Sequence, residues 1–390
     1  MKNFVNNLLN NVVGSAKHQI YLKHGKSWCK KAKANGCRRY NPSKDLYKKY
    51  QEKWSVLETP VMREYLEVFG AYLSEDEDRL NIVPENICHN VIEPVLNPYH
   101  YRGYFEDKNY FAKILGKDIL PNEFLRCING VFYDGEYNHI AAEDVSRKMS
   151  EVASVATRII VKPTVDSCSG NSIQFFNRNG QKFENAEGKT FEQVFLKNEA
   201  RNFVVQEIFE QSDFINQFGP TSVNTLRVVT YKSVKDEEIH VPAMILRVGK
   251  IGANVDNAHA GGLFVGVNPE SGKLGKYASD QFGKTQTVFN GVDFSKNEFQ
   301  IPNFENVLAF AKDVHSKIPY HRLLALDVVL TRGEGCKLLE YNINGFSSWL
   351  FPFVGQAPFG KWTDEIIEYV IRDKSLKDFG GYNRKSYSIQ

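Results

Sequence analysis

The stretch LLALDVVLTRGEGCKLLEYNING, residues 323–345, reads as a β-hairpin carrying three metal-seeking side chains. Residues 323–331 are apolar and rich in Leu and Val, Arg332-Gly333-Glu334-Gly335 is turn chemistry, and residues 337–343 form a second strand. With the turn centred on Gly333-Glu334, Asp327 lies opposite Glu340. Asn342 shares the face of Glu340, because strand side chains repeat every second residue. Two opposed carboxylates in an apolar hairpin repel each other and cost desolvation energy. A hard divalent cation reverses that sign, and carboxylate and amide oxygens are what Mg²⁺ accepts. Asp327 alone reads more simply as an outward polar residue on a strand edge. The set Asp327, Glu340, Asn342 reads as a metal site.

Working outward, strands concentrate in the middle of the chain. Residues 158–163 (RIIVKP) form a short strand carrying Lys162, followed by the small-residue loop VDSCSGNS at 165–172 and a strand at 173–176. Such a loop, with Ser169, Gly170 and Asn171 at its centre, can lay backbone N–H groups and hydroxyls over phosphates, with the lysine as a point charge beneath. Ser/Gly turns after strands are also commonplace, so the loop is a weak signal alone. Residues 203–207 (FVVQE) read as another strand, and 226–231 with 238–248 frame a hairpin around Lys235-Asp236-Glu237. Arg227 and Arg247 sit inside those apolar strands. A single strand arginine usually snorkels to a rim; two near a carboxylate hairpin suit phosphate oxygens.

Composition excludes several classes. A chain of 390 residues exceeds one simple core and calls for two or three subdomains. The net charge of +3 demands no polyanionic partner. Six cysteines occur without a CxxC pair, indicating reduced thiols in a cytoplasmic protein rather than zinc or disulfides. No segment approaches the roughly 20 apolar residues of a membrane span, and Asn6, Asn7, Asn10 and Asn11 break any signal-peptide core. Charge is unevenly spread, with twelve Lys/Arg from Lys17 to Lys53 against Asp45 and Glu52. The apolar residues Phe4, Val5, Leu8, Leu9, Val12 and Val13 form a helical stripe just before it. A helical cap with a solvated basic surface is the plainer reading, and contact with an anionic membrane leaflet or glycan is the functional one. The expected organisation is a helical, basic region at 1–95, an α+β lobe at 96–212, a second lobe with the metal site at 213–372, and a frayed tail at 373–390.

The order of these features is informative. Along the chain run Asp107-Lys108, Lys162 with its loop, Gln206-Glu207, Asn224-x-x-Arg227, Arg247, NAHAGG at 257–262, Asp327, and Glu340-x-Asn342. This succession resembles the ATP-grasp ligase superfamily. SVNTLRVVTY, NAHAGGLFVGV and GFSSWLFP look closest to its sugar-transfer-associated branch from polysaccharide gene clusters. The resemblance implies an α+β ATP-grasp fold, two lobes gripping ATP, with a helical N-terminal region. It implies that Lys108 and Lys162 hold phosphates and that Gln206, Glu207 and Ile208 meet adenine. Ser169, Gly170, Asn171 and Arg247 would also contact phosphates. Asp327, Glu340 and Asn342 would ligate Mg²⁺, for which Mn²⁺ could substitute. Asn224, Arg227, Asn257, His259, Gly261 and Gly262 would meet substrate, with Arg227, Arg247 and Lys162 acting in catalysis. For His259 a local hydrogen bond in its loop is the plainer role. The implied activity is amide formation between a carboxylate and an amine through an acyl phosphate, on a sugar acid of surface polysaccharide, in the cytoplasm or at the inner membrane face. Phosphotransfer to a sugar hydroxyl and nucleotide binding without turnover are the alternatives. The chain departs from the pattern in having one glycine in its phosphate loop, and Thr225 where many relatives carry an aspartate.

Overall fold

The computed structural model describes residues 19–165, 173–196, 201–219, 221–253, 255–333 and 335–373. Ser169, Gly170, Asn171, the apolar stripe at 4–13, the turn residue Glu334 and the tail beyond 373 lie outside the described residues. The described chain divides into two compact units. The smaller is 103–213 with 328–340, and the larger takes the described parts of 1–102, 214–327 and 341–390.

The smaller unit is built on the strands β1 (Glu123–Ile128), β2 (Val131–Asp134), β3 (His139–Ile140), β4 (Arg158–Pro163), β5 (Gln174–Asn179), β6 (Lys182–Glu184) and β7 (Phe203–Glu207). They form one sheet in the order β3-β2-β1-β7-β4-β5-β6, every neighbouring pair antiparallel. β7 is central, which suits its β-branched, apolar sequence. The helix Val145–Val155 covers the sheet because Val145, Met149 and Val152 recur on one helical face. The helix Phe191–Phe195 begins in a capping box, with Thr190 and Gln193 each bonding the other's backbone N–H. Phe176, Phe183, Phe191 and Phe203 join these helices in one core.

The larger unit carries β8 (Thr225–Lys232), β9 (Ile239–Val248), β10 (Leu263–Val267), β11 (Leu274–Ser279), β12 (Thr285–Gln286), a small ribbon of β13 (Val288–Phe289) and β14 (Val292–Asp293), and the decisive hairpin, β15 (Leu323–Leu330) and β16 (Cys336–Asn342). The order is β12-β11-β10-β9-β8-β15-β16. The division falls within both hairpin strands, so residues 328–340 at the hairpin's tip belong to the smaller unit. There Ser212 N donates to Leu330 O at 2.8 Å, and Leu338 N donates to Ile119 O at 2.7 Å. All eight residues of β15 are buried, whereas β16 is mostly half-buried, with only Leu338 and Tyr341 buried. Asp327 is therefore an interior carboxylate, not the outward residue on a strand edge that it suggests when taken alone.

The N-terminal region is helical, as expected: residues 19–115 hold helices and, among the described residues, no strand. In the helix Lys44–Ser55, Ser43 accepts from Leu46 N as the N-cap, and Leu46, Tyr50 and Trp54 point inward at helical spacing. Trp54, Tyr65 and Phe69 share a core with Val229, Tyr231, Ile245 and Phe264 from β8–β10. These helices are thus part of the larger unit's core. Lys23, Lys26, Lys30 and Lys31 remain exposed, while Lys33 pairs with Glu67 at 2.5 Å. Among the described residues no helix is long and apolar enough to cross a membrane.

Candidate functional site

In the larger unit the site is organised around Asp327. β8 and β15 run antiparallel, since Lys232 N donates to Arg322 O while Arg227, five residues earlier on β8, meets Asp327, five residues later on β15. Arg227 grips Asp327 with two parallel bonds, Nε to Oδ1 and Nη2 to Oδ2, both 2.8 Å. Arg247, from β9, adds Nη1 to Oδ2 at 3.1 Å. Its Nη2 reaches Asp256 Oδ1 at 2.9 Å. Asp256 Oδ2 in turn accepts from Thr225 N at 3.0 Å and Thr225 Oγ at 2.5 Å. The result is a chain of two arginines and two aspartates, all buried except the partly buried Arg247.

Burial of Asp327, 1% exposed, disfavours its charge, but Arg227 and then Arg247 outweigh this and hold its pKa below the usual value. Breaking one partner of such a pair typically costs about 3–5 kcal/mol, because the other charge stays buried. Asp256 behaves oppositely: burial is its largest influence, and despite Arg247 and Thr225 its pKa is raised. Sequence reading passed over Asp256, although it stands immediately before NAHAGG. It places a carboxylate beside Thr225, the position where the expected aspartate is missing.

The charge argument made from sequence therefore needs correction. The hairpin's carboxylates are compensated by protein cations: Arg227 and Arg247 serve Asp327, and Lys108 Nζ lies 3.4 Å from Glu340 Oε2. No external cation is required to neutralise them. Asn342 Nδ2 donates to Ala325 O at 3.3 Å, which fixes the amide and leaves its oxygen as the acceptor end. Among the described residues no three His, Cys, Asp or Glu side chains cluster as a ready metal site.

The remaining substrate candidates divide. Asn224 is 1% exposed; it accepts from Ser222 Oγ and Gly249 N, both at 2.9 Å, and donates to Gly219 O at 2.7 Å. That is the pattern of a residue knitting loops together. Asn257 caps the short turn Ala258–Ala260 by accepting from His259 N, and the His259 side chain is exposed. Gly261 takes the left-handed conformation that ends this turn. At Gly262 a Cβ would lie 2.6 Å from Asp256 O, so the loop closes directly onto Asp256.

In the smaller unit Lys108 and Lys162 are brought to one place. Lys108 N donates to Thr164 O at 3.1 Å, and Asn109 Nδ2 donates to Thr164 Oγ at 3.0 Å, two residues beyond Lys162. Lys162 itself is buried on β4, opposite Val204 of β7. Gln206 is buried and donates Nε2 to Glu123 Oε1 at 3.2 Å, while its Oε1 has no hydrogen-bond partner among the described residues. Such an orphaned acceptor is uncommon and marks a place for a ligand or water. Glu207 is already engaged: its N–H donates to Asn122 O at 3.0 Å, and its carboxylate accepts from Asn122 N at 3.0 Å and Nδ2 at 2.7 Å. Ile208 follows directly as a half-buried residue outside the strand. Asn122 and the fully buried Arg126, which pairs with Glu123 and stacks over Tyr137, carried no sequence signal.

No curated protein sequence matches the chain. Solved structures similar to it include D-cycloserine synthetase DcsG, with 12% identity and a TM-score of 0.40 over 72% of this chain and 73% of that one. D-alanyl-alanine synthetase A from Vibrio cholerae aligns with 12% identity and a TM-score of 0.40 over 69% and 64%. The ATP-grasp ligase PsnB, complexed with Mg and ADP, aligns with 11% identity and a TM-score of 0.37 over 70% and 61%. The chain spans less than two thirds of the length of the last two. The sequence profile of the sugar-transfer associated ATP-grasp family matches residues 89–363, and the chain belongs to that family, with its α+β ATP-grasp fold and a helical N-terminal region.

Proposed function

We propose that the protein is an ATP- and Mg²⁺-dependent carboxylate–amine ligase acting on a sugar acid of surface polysaccharide. The observation that carries this reading is the pair of arginines, Arg227 buried and Arg247 partly buried, converging on Asp327. Two planar guanidinium forks held in one water-poor place suit a phosphate or carboxylate better than they suit plain stability, since a hydrophobic substitute often costs nothing. In this reading Lys108 and Lys162 hold ATP phosphates. Gln206 Oε1 accepts from the adenine amino group, and the backbone of Ile208 completes the adenine contact, because Glu207 is occupied by Asn122. Asp327, Glu340 and Asn342 supply the oxygen donors for Mg²⁺, which when bound neutralises charge on the transferring phosphoryl group.

A carboxylate at neutral pH is a poor electrophile. Transfer of the γ-phosphoryl to it, with ADP leaving, gives an acyl phosphate that an amine attacks, releasing phosphate. The residues' task is charge neutralisation and alignment without a covalent protein intermediate. Arg227 and Arg247 orient the acid and stabilise charge on the transferring group. The 257–262 loop, resting on Asp256, borders the acid. The exposed lysines at 23, 26, 30 and 31 would favour an anionic glycan or leaflet nearby. The test is ADP release with a panel of uronic acids, with and without hydroxylamine. Hydroxamate formed in step with ADP supports the ligase; a stable phosphate ester would replace it with a phosphotransferase, and no ADP release would leave a nucleotide-binding protein.

A further inference from the structure

The motif GFSSW, residues 345–349, follows directly from the strand that ends in Asn342, and its backbone is held from the N-terminal helices. Glu93 is fully buried, and its Oε1 accepts from two successive backbone donors, Gly345 N at 2.9 Å and Phe346 N at 3.2 Å. Its other oxygen is 2.7 Å from His89 Nδ1, and His89 Nε2 is 3.6 Å from Glu85 Oε1. The helix is deformed where this happens. Residues Cys88–Ile92 form a π-helical turn, with Glu93 N bonding Cys88 O five residues back, a distortion often found at functional sites.

Four residues on, Asn97 saturates its amide on the same hairpin. Nδ2 donates to Leu323 O and Ile343 O, both at 2.6 Å, and Oδ1 accepts from Arg322 N and Leu323 N, both at 3.1 Å. The loop so anchored carries Ser347 in the left-handed region, φ 63°, which is strained for a side-chain-bearing residue. Ser347 Oγ accepts from Arg227 Nη1 at 3.4 Å. A path of direct bonds thus runs from His89 through Glu93 and the 345–347 backbone to Arg227.

We propose that Glu93 is a positioning residue for the reaction, fixing the backbone at Gly345 and Phe346 so that Ser347 and Arg227 keep their places beside Asp327. This rests on the ligase reading of the Arg227–Asp327 site. It makes the N-terminal helices a working part of that site rather than a cover for its sheet. A carboxylate facing two consecutive N–H groups sets the local backbone orientation, and misplacing a reacting group by about 1 Å can cost on the order of 100-fold in rate.

The experiment compares Glu93→Ala and Glu93→Gln with the wild type, full length, by steady-state kinetics and residue-resolved amide hydrogen exchange. Glu93→Gln keeps an acceptor but loses the charge, so kcat should fall about tenfold, with KM for ATP unchanged. Glu93→Ala should lose about 100-fold in kcat, and exchange at Gly345 and Phe346 should quicken while β10 stays protected. Wild-type kcat and wild-type exchange at 345–346 in both variants would overturn the proposal. So would a loss of kcat matched throughout by a loss of global protection, which is what a merely structural anchor gives. If Glu93→Ala does not fold, Glu93→Gln decides by the same two readouts. If the wild type turns over no acid, the ligase reading falls, and exchange at 345–346 alone decides whether Glu93 holds the loop.

Discussion

The two units prepare their charged residues in opposite ways. In the larger unit Asp327 is 1% exposed and bound three times over by Arg227 and Arg247, at 2.8, 2.8 and 3.1 Å. In the smaller unit the Lys108–Glu340 pair is longer, at 3.4 Å, with the Glu340 side chain 32% exposed. The first arrangement is closed on itself and must exchange partners before it can hold phosphate or metal. The second is held by backbone, through Thr164, and its ion pair is partly exposed. The difference predicts that mutations in the larger unit damage turnover most, and that mutations in the smaller unit damage nucleotide affinity.

The largest effect is expected for Asp327→Asn. It removes the charge that orders both arginines, and turnover should fall about 1,000-fold, the upper range for losing one preorganised electrostatic contact. ADP-release kinetics check this, and undiminished Mg²⁺-dependent turnover would break the assignment of the larger unit. Arg227→Lys keeps the charge but loses the fork, and kcat should drop about 100-fold with a melting temperature close to wild type. Normal hydroxamate trapping in that variant would remove Arg227 from the site. Lys162→Ala should weaken ATP binding about 30-fold, the worth of one charge-assisted hydrogen bond. Calorimetry finding equal affinity would show that the smaller unit's lysine is only structural.

The least effect at working pH belongs to the histidines, and it sharpens the comparison within the larger unit. His315 is buried against Thr230 Oγ and His321 O, and burial pushes its pKa down to about 4. The unfolded chain binds that proton near pH 6.5, before the folded protein does, so stability falls as pH drops from roughly 6.5 toward 4. His89 is the reverse. Burial opposes its charge, but Glu93 and Glu85 prevail and raise its pKa well above 6.5. Its contribution is whole below the unfolded value and is lost as pH rises through the folded one. Thermal melts of wild type and His315→Gln from pH 4 to 7 check the acid side: the wild-type slope should flatten in the variant.

Local pattern carried most of the fold. The reading of strands at 203–207 and 238–248 falls on β7 and β9 to within a residue, because alternation and β-branched composition are properties of neighbouring residues. The hairpin strands at 323–330 and 336–342 were legible for the same reason. The partners of their carboxylates were not. Arg227 and Asp327 lie 100 residues apart in sequence, and no local period connects them. Asp256 was hidden because its function is to face Thr225 across a loop. Glu93 sits in a short distorted helix whose meaning depends on a loop 252 residues away. Glu207 shows the converse: its place at the end of the central strand was legible, but its occupation by Asn122 was not.

The central claim is that this site activates a carboxylate by phosphorylating it, and oxygen transfer tests that most directly. Turnover of a uronic acid labelled with ¹⁸O in its carboxylate, together with an amine acceptor, should place one labelled oxygen in each inorganic phosphate released, in step with ADP. Phosphate released without the label during amide formation, or label retained wholly in the sugar product, would contradict the acyl-phosphate route.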